Sequence, residues 1–272
     1  MVEISIITVT MNHLALVKEM LRSLYQDKPS ASFEMIIVDN CSNDGSAEFI
    51  AQNYPDIKLI RNKHPYGFAR NNNIGAREAK GKYILILNPD TILSHGAIDK
   101  LLEYAVSHPE AGIIAPRLQN IDGSLQYSVR HFPTLQTLIS RILTKGNDLA
   151  DNGKVASYLM KDLPHDRPML IDWCMGACFL ISRQLYEELG GFDEGFFLYV
   201  EDMDICYRCW QRNRQVVYVP MSVITHAHQR SSMNLNKKTY IHIKSFWHFF
   251  YKNKFKVKSY AKLFDTNPET SK

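Results

Sequence analysis

No run of apolar residues in this chain approaches the ~20 needed to cross a bilayer. No basic stretch precedes the amino-terminal segment Ile4-Ser5-Ile6-Ile7-Thr8-Val9, so a signal peptide is not expected and the sequence predicts a cytoplasmic protein. Neither Gly-x-Gly-x-x-Gly nor Gly-x-x-x-x-Gly-Lys-Ser/Thr occurs, which argues against a dinucleotide fold and a P-loop. Cysteine is sparse, at five in 272 residues. Cys174 with Cys178, on one strand-like run, and Cys206 with Cys209 are close pairs, a spacing that zinc could use. Their flanks (Trp173, Met175, Phe179, Ile181, Ile205, Trp210) are apolar, and no turn residue separates the helical pair, so small buried core residues are the better reading. The most telling absence is of one charge sign. From Ile205 to Phe264, 60 residues contain no Asp or Glu but hold four arginines and eight lysines. Since the whole chain carries only +4, the remainder is net acidic. One basic surface should therefore face an anionic partner: a diphosphate, an anionic lipid headgroup or a nucleic acid. No nucleic-acid recognition element is present, so nucleic acid is set aside.

What the chain does contain is regular alternation. Apolar strand patterns at Ile4–Val9, Phe33–Val38, Ile57–Arg61 and Lys82–Leu87 alternate with helical patterns at Leu14–Tyr25, Ser46–Asn53, Gly67–Ala79 and Gly96–Ser107. Such alternation builds a parallel α/β sheet with right-handed crossovers. After Pro116 the rhythm breaks. Asp122-Gly123 signals a turn, residues 146–168 read as a polar insertion, and an apolar strand is expected over Cys174–Ser182. A helix over Arg183–Leu189, a second over Tyr199–Asn213 and a final strand at Val216–Val219 follow. The tail, Lys237–Phe264, sets Tyr240, Ile243, Phe246, Trp247 and Phe250 at helical spacing beside lysines, the pattern of a helix lying on a membrane surface or packing on protein. Residues 1–115, 116–232 and 233–272 thus read as a ligand-binding half, a second half of the same domain and a helical tail.

Two acidic clusters sit where chemistry could reach them. Asn88-Pro89-Asp90 follows the buried run Tyr83–Leu87, and open α/β sheets bind ligands beyond such strand ends. Glu201-Asp202-Met203-Asp204 opens a helix. Taken singly, Asp90 capping a turn and Asp202 capping a helix would suffice. Thr8-Val9-Thr10-Met11-Asn12 and Asp39-Asn40-Cys41-Ser42-Asn43-Asp44-Gly45-Ser46 also fall at strand ends and should cluster with Asp90. On the second helix, Asp204 and Arg208 are spaced i, i+4 for a supporting ion pair.

Taken in order, these motifs carry a resemblance. Asp39-Asn40-x-Ser42-x-Asp44-Gly45-Ser46 is followed by Gly67-Phe68-Ala69-Arg70-x-Asn72-Asn73-x-Gly75 and Leu87-Asn88-Pro89-Asp90. Then come Pro116-Arg117-Leu118 with Asp122-Gly123-Ser124, Gly190-Gly191-Phe192-Asp193, and Glu201-Asp202-x-Asp204-x-x-x-Arg208. From Ile4 to about Ser232 the chain resembles an inverting family-two glycosyltransferase of the GT-A type, and within it the rhamnosyltransferase-like branch. None of these motifs is diagnostic alone; their order is specific.

The resemblance implies a nucleotide-diphospho-sugar donor held by the first-half loops. Asp39 would contact the base, the Thr8–Thr10 backbone and Asn73 would frame the nucleotide, and Arg70 would stand beside it. Asp90 would ligate Mg²⁺ or Mn²⁺ on the diphosphate. Where many members have Asp-x-Asp this chain has Asn88, so a further ligand gains importance; His226, or else His228, shortly before Ser231, would supply it. Asp202 would be the general base of a single displacement, kept ionised by its place in a first helical turn, with Glu201 orienting it or touching the acceptor. The implied donor is dTDP-L-rhamnose, and the acceptor a cell-surface polysaccharide or its lipid-linked precursor at the inner face of a membrane. A UDP-hexose donor, a silent carbohydrate- or membrane-binding module and a homo-oligomer stay open.

Overall fold

The computed structural model describes residues 2–144, 146–227 and 235–262, the side chains of 235–239 excepted. The first half runs β1 (Ile4–Thr10), α1 (Leu14–Gln26), β2 (Phe33–Asp39), α2 (Ser46–Asn53), β3 (Lys58–Arg61), α3 (Phe68–Arg77), β4 (Tyr83–Leu87), β5 (Thr91–Leu93) and α4 (Ala97–Ser107). The second continues with β6 (Ala111–Gln119), β7 (Val129–Arg130), α5 (Leu135–Leu143), α6 (Gly153–Tyr158), β8 (Met169–Leu170), β9 (Trp173–Cys174), β10 (Cys178–Ser182) and α7 (Arg183–Glu188). It closes with α8 (Glu201–Gln211), β11 (Gln215–His226) and α9 (Leu235–Lys252). Among the described residues, one mixed sheet has the order β3-β2-β1-β4-β10-β6-β11-β5, with β8 on β11, and β7 pairs β9 in a small second sheet.

The central strands are apolar on both faces because both faces are covered. Side chains alternate across the sheet. Ile7, Ile84, Ile86, Phe179 and Ile181 enter one core with α8 and Phe249 of α9. Ile6, Leu85, Leu87 and Leu180 enter the other, beneath α1 and α4. β1, β2 and β4 are parallel, with Thr10 opposite Asp39 and Ile7 opposite Ile86, so their carboxyl ends share one edge.

Three departures from the sequence reading have physical causes. β6 was hidden because Pro116 lies in the middle of a strand hydrogen-bonded on both sides. Proline brings no N–H to the ladder, and opposite it β11 bulges, its register jumping from Val219 against Pro116 to Val223 against Arg117. The run expected as one strand over Cys174–Ser182 is two, β9 and β10, which belong to different sheets. The backbone between them leaves the ladder to make other bonds: Gly176 N–H donates to Asp202 and Ala177 C=O accepts from Asn88. Finally, α8 starts at Glu201, not Tyr199, because Tyr199 and Val200 hold φ of 68° and 74°. That left-handed conformation is costly for a β-branched residue.

Candidate active site

The site is assembled on the shared edge of β1, β2 and β4. Thr8 Oγ1 donates to Leu87 O at 2.7 Å and Asn40 N–H to Thr10 O at 2.8 Å, fastening the three strand ends together. Asp39 is buried; its Oδ2 accepts from Ser42 N–H at 3.2 Å, while its Oδ1 and Thr10 Oγ1 are buried with no partner. Buried polar atoms are nearly always bonded, so orphans at one edge mark a place where a ligand is expected. Asn40 closes the rim: its amide bonds both the N–H and the C=O of Tyr66, on whose ring Arg70 stacks at 3.9 Å.

Asp90 follows β4 and leads into β5. The antiparallel pairing of β5 with β11 puts Thr91 opposite His226, and Ala227 N–H donates to Asp90 O at 2.8 Å. This brings Asp90 Oδ2 and His226 Nε2 to 3.4 Å, although 136 positions separate the two residues in sequence. Asp90 Oδ1 is buried without a partner. Gln126 fixes the imidazole: Gln126 Nε2 donates to Asn120 Oδ1, which turns its Oε1 to accept from His226 Nδ1 at 2.7 Å. With the proton on Nδ1, Nε2 is the unprotonated nitrogen on the Asp90 side, and the Gln126 amide holds the ring in the way an amide holds a ligating histidine. A carboxylate and an imidazole lone pair converging in this way suit a hard or borderline divalent cation. His228 lies outside the described residues.

Asp202 stands across the Gly176–Ala177 step from Asp90. Asn88 N–H donates to Ala177 O at 2.8 Å, and Gly176 N–H donates to Asp202 Oδ2 at 2.9 Å. One dipeptide therefore joins the two acidic clusters. Space there is tight: a side chain at position 176 would lie 3.3 Å from Asp202 Cβ and 3.4 Å from the Phe68 ring. Asp202 Oδ1 accepts from Met203 N–H at 2.8 Å. Burial pushes the Asp202 carboxyl above its ordinary range, against the downward pull of the Gly176 and Met203 amides and the Arg130 charge. The expectation that the helix start alone keeps it ionised is thus outweighed by desolvation. Glu201, 5% exposed, is held well above its ordinary value by burial and then by Asp202. Its Oε2 has no partner.

Arg130 was not singled out from the sequence. It lies against the rings of Trp173 (5.1 Å) and Tyr158 (5.5 Å), its Nη2 4.0 Å from Met175 Sδ and its Nε buried without a partner. Its strand is two residues long, too short for any periodicity to show. Gln126 was equally silent, since nothing in its local pattern refers to a histidine 100 residues away.

Other expected residues go elsewhere. Asn73 does not face the Asp39–Asp90 edge. Its amide donates to Phe192 O and Glu194 Oε1 and accepts from Tyr186 Oη and Phe192 N–H, leaving little for a nucleotide. It is a cross-brace onto the Gly190-Gly191 turn, where a Cβ on Gly191 (φ +69°) would come within 2.5 Å of Asn73 Oδ1. The Thr8 hydroxyl is committed to Leu87, as above. Asp204, fully buried, accepts from Arg208 Nε at 2.7 Å and Lys252 Nζ at 2.8 Å, and Arg208 Nη1 donates to Leu189 O. These groups bind α8 to α9. The four paired cysteines are buried, with Cys174 Sγ 4.0 Å from Cys206 Sγ.

Comparison with known proteins identifies the family. The chain belongs to the family described as "Glycosyl transferase family 2", whose pattern matches residues 5–190. It is a glycosyltransferase of GT-A fold with rhamnosyltransferase-like sequence. It is 31% identical over 217 residues to the N-acetylglucosaminyl-diphospho-decaprenol L-rhamnosyltransferase of Mycobacterium tuberculosis (strain CDC 1551 / Oshkosh), covering 75% of this chain and 68% of that one. It is 30% identical over 249 residues to rhamnosyltransferase WbbL of Escherichia coli (strain K12), covering 88% and 89%. Among solved structures, a Pyrobaculum calidifontis mannosyltransferase with GDP-Man and Mn²⁺ superposes with a TM-score of 0.65 at 17% identity, over 94% of this chain and 65% of that one. GalNAc-T7 with UDP, GalNAc and Mn²⁺ superposes equally well, at 19% identity over 85% of this chain and 44% of that one.

Proposed function

We propose that the protein is an inverting, metal-assisted transferase that moves L-rhamnose from dTDP-L-rhamnose to a hydroxyl of a lipid-linked glycan precursor. The observation that supports this reading is the Gly176–Ala177 step, which links the segment carrying Asp90 to Asp202 through two hydrogen bonds, so that a metal ligand and a base would stand on either side of one dipeptide. The two rhamnosyltransferase relatives, one of them named for a diphospho-decaprenol acceptor, support this choice of sugar and acceptor. Asp39, Thr10 and the Tyr66–Arg70 rim would take the nucleotide. Asp90 and His226 would hold Mn²⁺ or Mg²⁺, which when bound supplies positive charge against the leaving diphosphate. The orphaned Asp90 Oδ1 and the Gln126-fixed imidazole fit that role.

The displacement itself needs only one carboxylate. Asp202 takes the proton from the acceptor hydroxyl, the oxygen bonds to the anomeric carbon, and the bond to the nucleoside diphosphate breaks with its electron pair on the phosphate oxygen. A base raised by burial accepts that proton more readily than an ordinary carboxylate. Burial, the Gly176 and Met203 amides and the Arg130 charge set its electrostatics.

Calorimetric titration with dTDP, UDP and GDP, each with and without Mn²⁺ or Mg²⁺, tests the reading. Metal-dependent preference for dTDP supports it. Preference for UDP keeps the mechanism and replaces rhamnose with a hexose. Binding to none would leave a silent carbohydrate- or membrane-binding module.

A further inference from the structure

α9 has two unlike faces. Inward, Phe249 is completely buried, Phe246 and Phe250 pack on the core, Ser245 Oγ donates to Leu198 O at 3.0 Å, and His242 stacks on Tyr199 at 3.8 Å. Outward, Tyr240, Ile243, Trp247 and Tyr251 recur at i, i+3, i+7 and i+11, a single stripe, and they are 60–71% exposed. Beyond the helix, Lys254 and Phe255 adopt φ of 52° and 57°. This folds the chain back so that the exposed Phe255 ring meets Trp247 at 5.6 Å, extending the stripe. Lys244, Lys254, Lys256 and Lys258 are exposed on the same segment, and no acid occurs between Ile205 and Phe264.

Among the described residues no helix is long and apolar enough to cross a membrane. An exposed aromatic stripe flanked by exposed lysines has the composition of a surface that rests at lipid headgroup level, rings at the acyl boundary and ammonium groups on anionic headgroups. A second copy of the chain is a poorer occupant, because an isologous contact would set lysine rim against lysine rim.

We propose that this outer face of α9 seats the protein on an anionic bilayer and so presents Asp202 to the headgroup end of a lipid-borne acceptor. The inner face makes the connection. Leu198 and Tyr199, which α9 grips, lie within four residues of Asp202, so the start of α8 that bears the base and the membrane face are parts of one clamped unit. The acceptor half of the proposal rests on the proposed function; the bilayer half does not.

Vesicle binding, measured without any sugar nucleotide, keeps the two apart. Trp173 and Trp210 are buried and Trp247 is exposed, so a fluorescence change on adding vesicles reports on Trp247. With vesicles of equal parts phosphatidylglycerol and phosphatidylcholine, the emission should shift to the blue and the protein should sediment with lipid. Pure phosphatidylcholine should bind weakly, and ~1 M salt, where the Debye length is about 3 Å, should release the protein. Trp247→Ala with Tyr251→Ala should weaken binding about tenfold or more, as should Lys254→Ala, Lys256→Ala and Lys258→Ala together. Transfer to a short water-soluble acceptor should be unchanged in both variants. Absence of a blue shift, or equal binding to both vesicle types, overturns the proposal. So does a dimer in sedimentation velocity that the aromatic variant dissolves, since the face would then be a subunit interface. Vesicle binding without dTDP binding would instead spare the bilayer contact and sink the rhamnosyl reading.

Discussion

The two acidic centres are joined by a single dipeptide yet are finished in opposite ways. Both oxygens of Asp202 accept backbone N–H bonds, from Gly176 and Met203, so its geometry is complete without a ligand. Asp90 has one oxygen buried with no partner and the other facing a histidine whose tautomer is fixed from behind. A group that handles a proton must be held in place and kept accessible. A group that binds a cation must keep electron pairs unspent, at the cost of leaving them unsatisfied when nothing is bound. The contrast gives the two proposed roles a physical difference that the sequence, which shows two carboxylates after two apolar segments, does not display.

The sharpest way to break the contrast is to remove each carboxylate and ask which step fails. Asp202→Asn keeps the shape but cannot take a proton, so kcat should fall by about 10³-fold, within the range for general-base catalysis. Calorimetric donor affinity should stay near that of the wild type; an equal loss of donor affinity would move the base elsewhere. Asp90→Ala should do the reverse. Donor affinity in Mn²⁺ should drop about tenfold to hundredfold while metal-free affinity barely changes, and unaltered metal dependence would dismiss Asp90 as a ligand. Gln126→Leu sharpens this further. The imidazole keeps its place but loses its fixed tautomer, so Mn²⁺ affinity read by electron paramagnetic resonance should fall about tenfold. A purely structural Gln126 would alter thermal stability and leave the Mn²⁺ affinity alone.

A smaller effect probes the charge beside the base. Arg130 lowers the Asp202 pKa, which burial has raised. Arg130→Met should therefore move the acid limb of the kcat/KM profile to higher pH, losing more activity at acidic than at alkaline pH. A uniform loss across the profile would mean that Arg130 contacts substrate instead.

How much of this was legible depended on the distance over which a residue's meaning is set. The parallel half could be read because each strand and helix declares itself within a few residues, and a buried strand such as Tyr83–Leu87 needs no partner to be recognised. Asp90 and Asp202 could be located, one past a strand end and one in a first helical turn, because each abuts such an element. Pro116 concealed a central strand, since local rules forbid proline there and only the bulge in β11 accommodates it. Asn73 looked like a ligand-facing amide because nothing local reveals that Tyr186 and Phe192, more than 110 positions on, take up its hydrogen bonds. Arg130 and Gln126 act through neighbours that only the folded chain supplies.

Glu201 gives the comparison its last and smallest test, on stability rather than rate. It is a buried carboxyl beside a second one, and its folded-state pKa lies well above the ordinary value of 4.5. The folded protein therefore holds this proton more tightly than the unfolded chain. The stabilisation is fully present below about pH 4.5 and is lost as pH rises through the folded value, at a slope of about 1.4 kcal/mol per pH unit. Glu201→Gln cannot titrate and escapes that loss. Unfolding in urea should show variant and wild type alike near pH 4, with the variant gaining steadily as pH climbs above it. Its gain should also be smaller in an Asp202→Asn background, because part of the Glu201 shift comes from the Asp202 charge. Equal stability at every pH would show that solvent reaches Glu201 and that its carboxyl is not held protonated by burial.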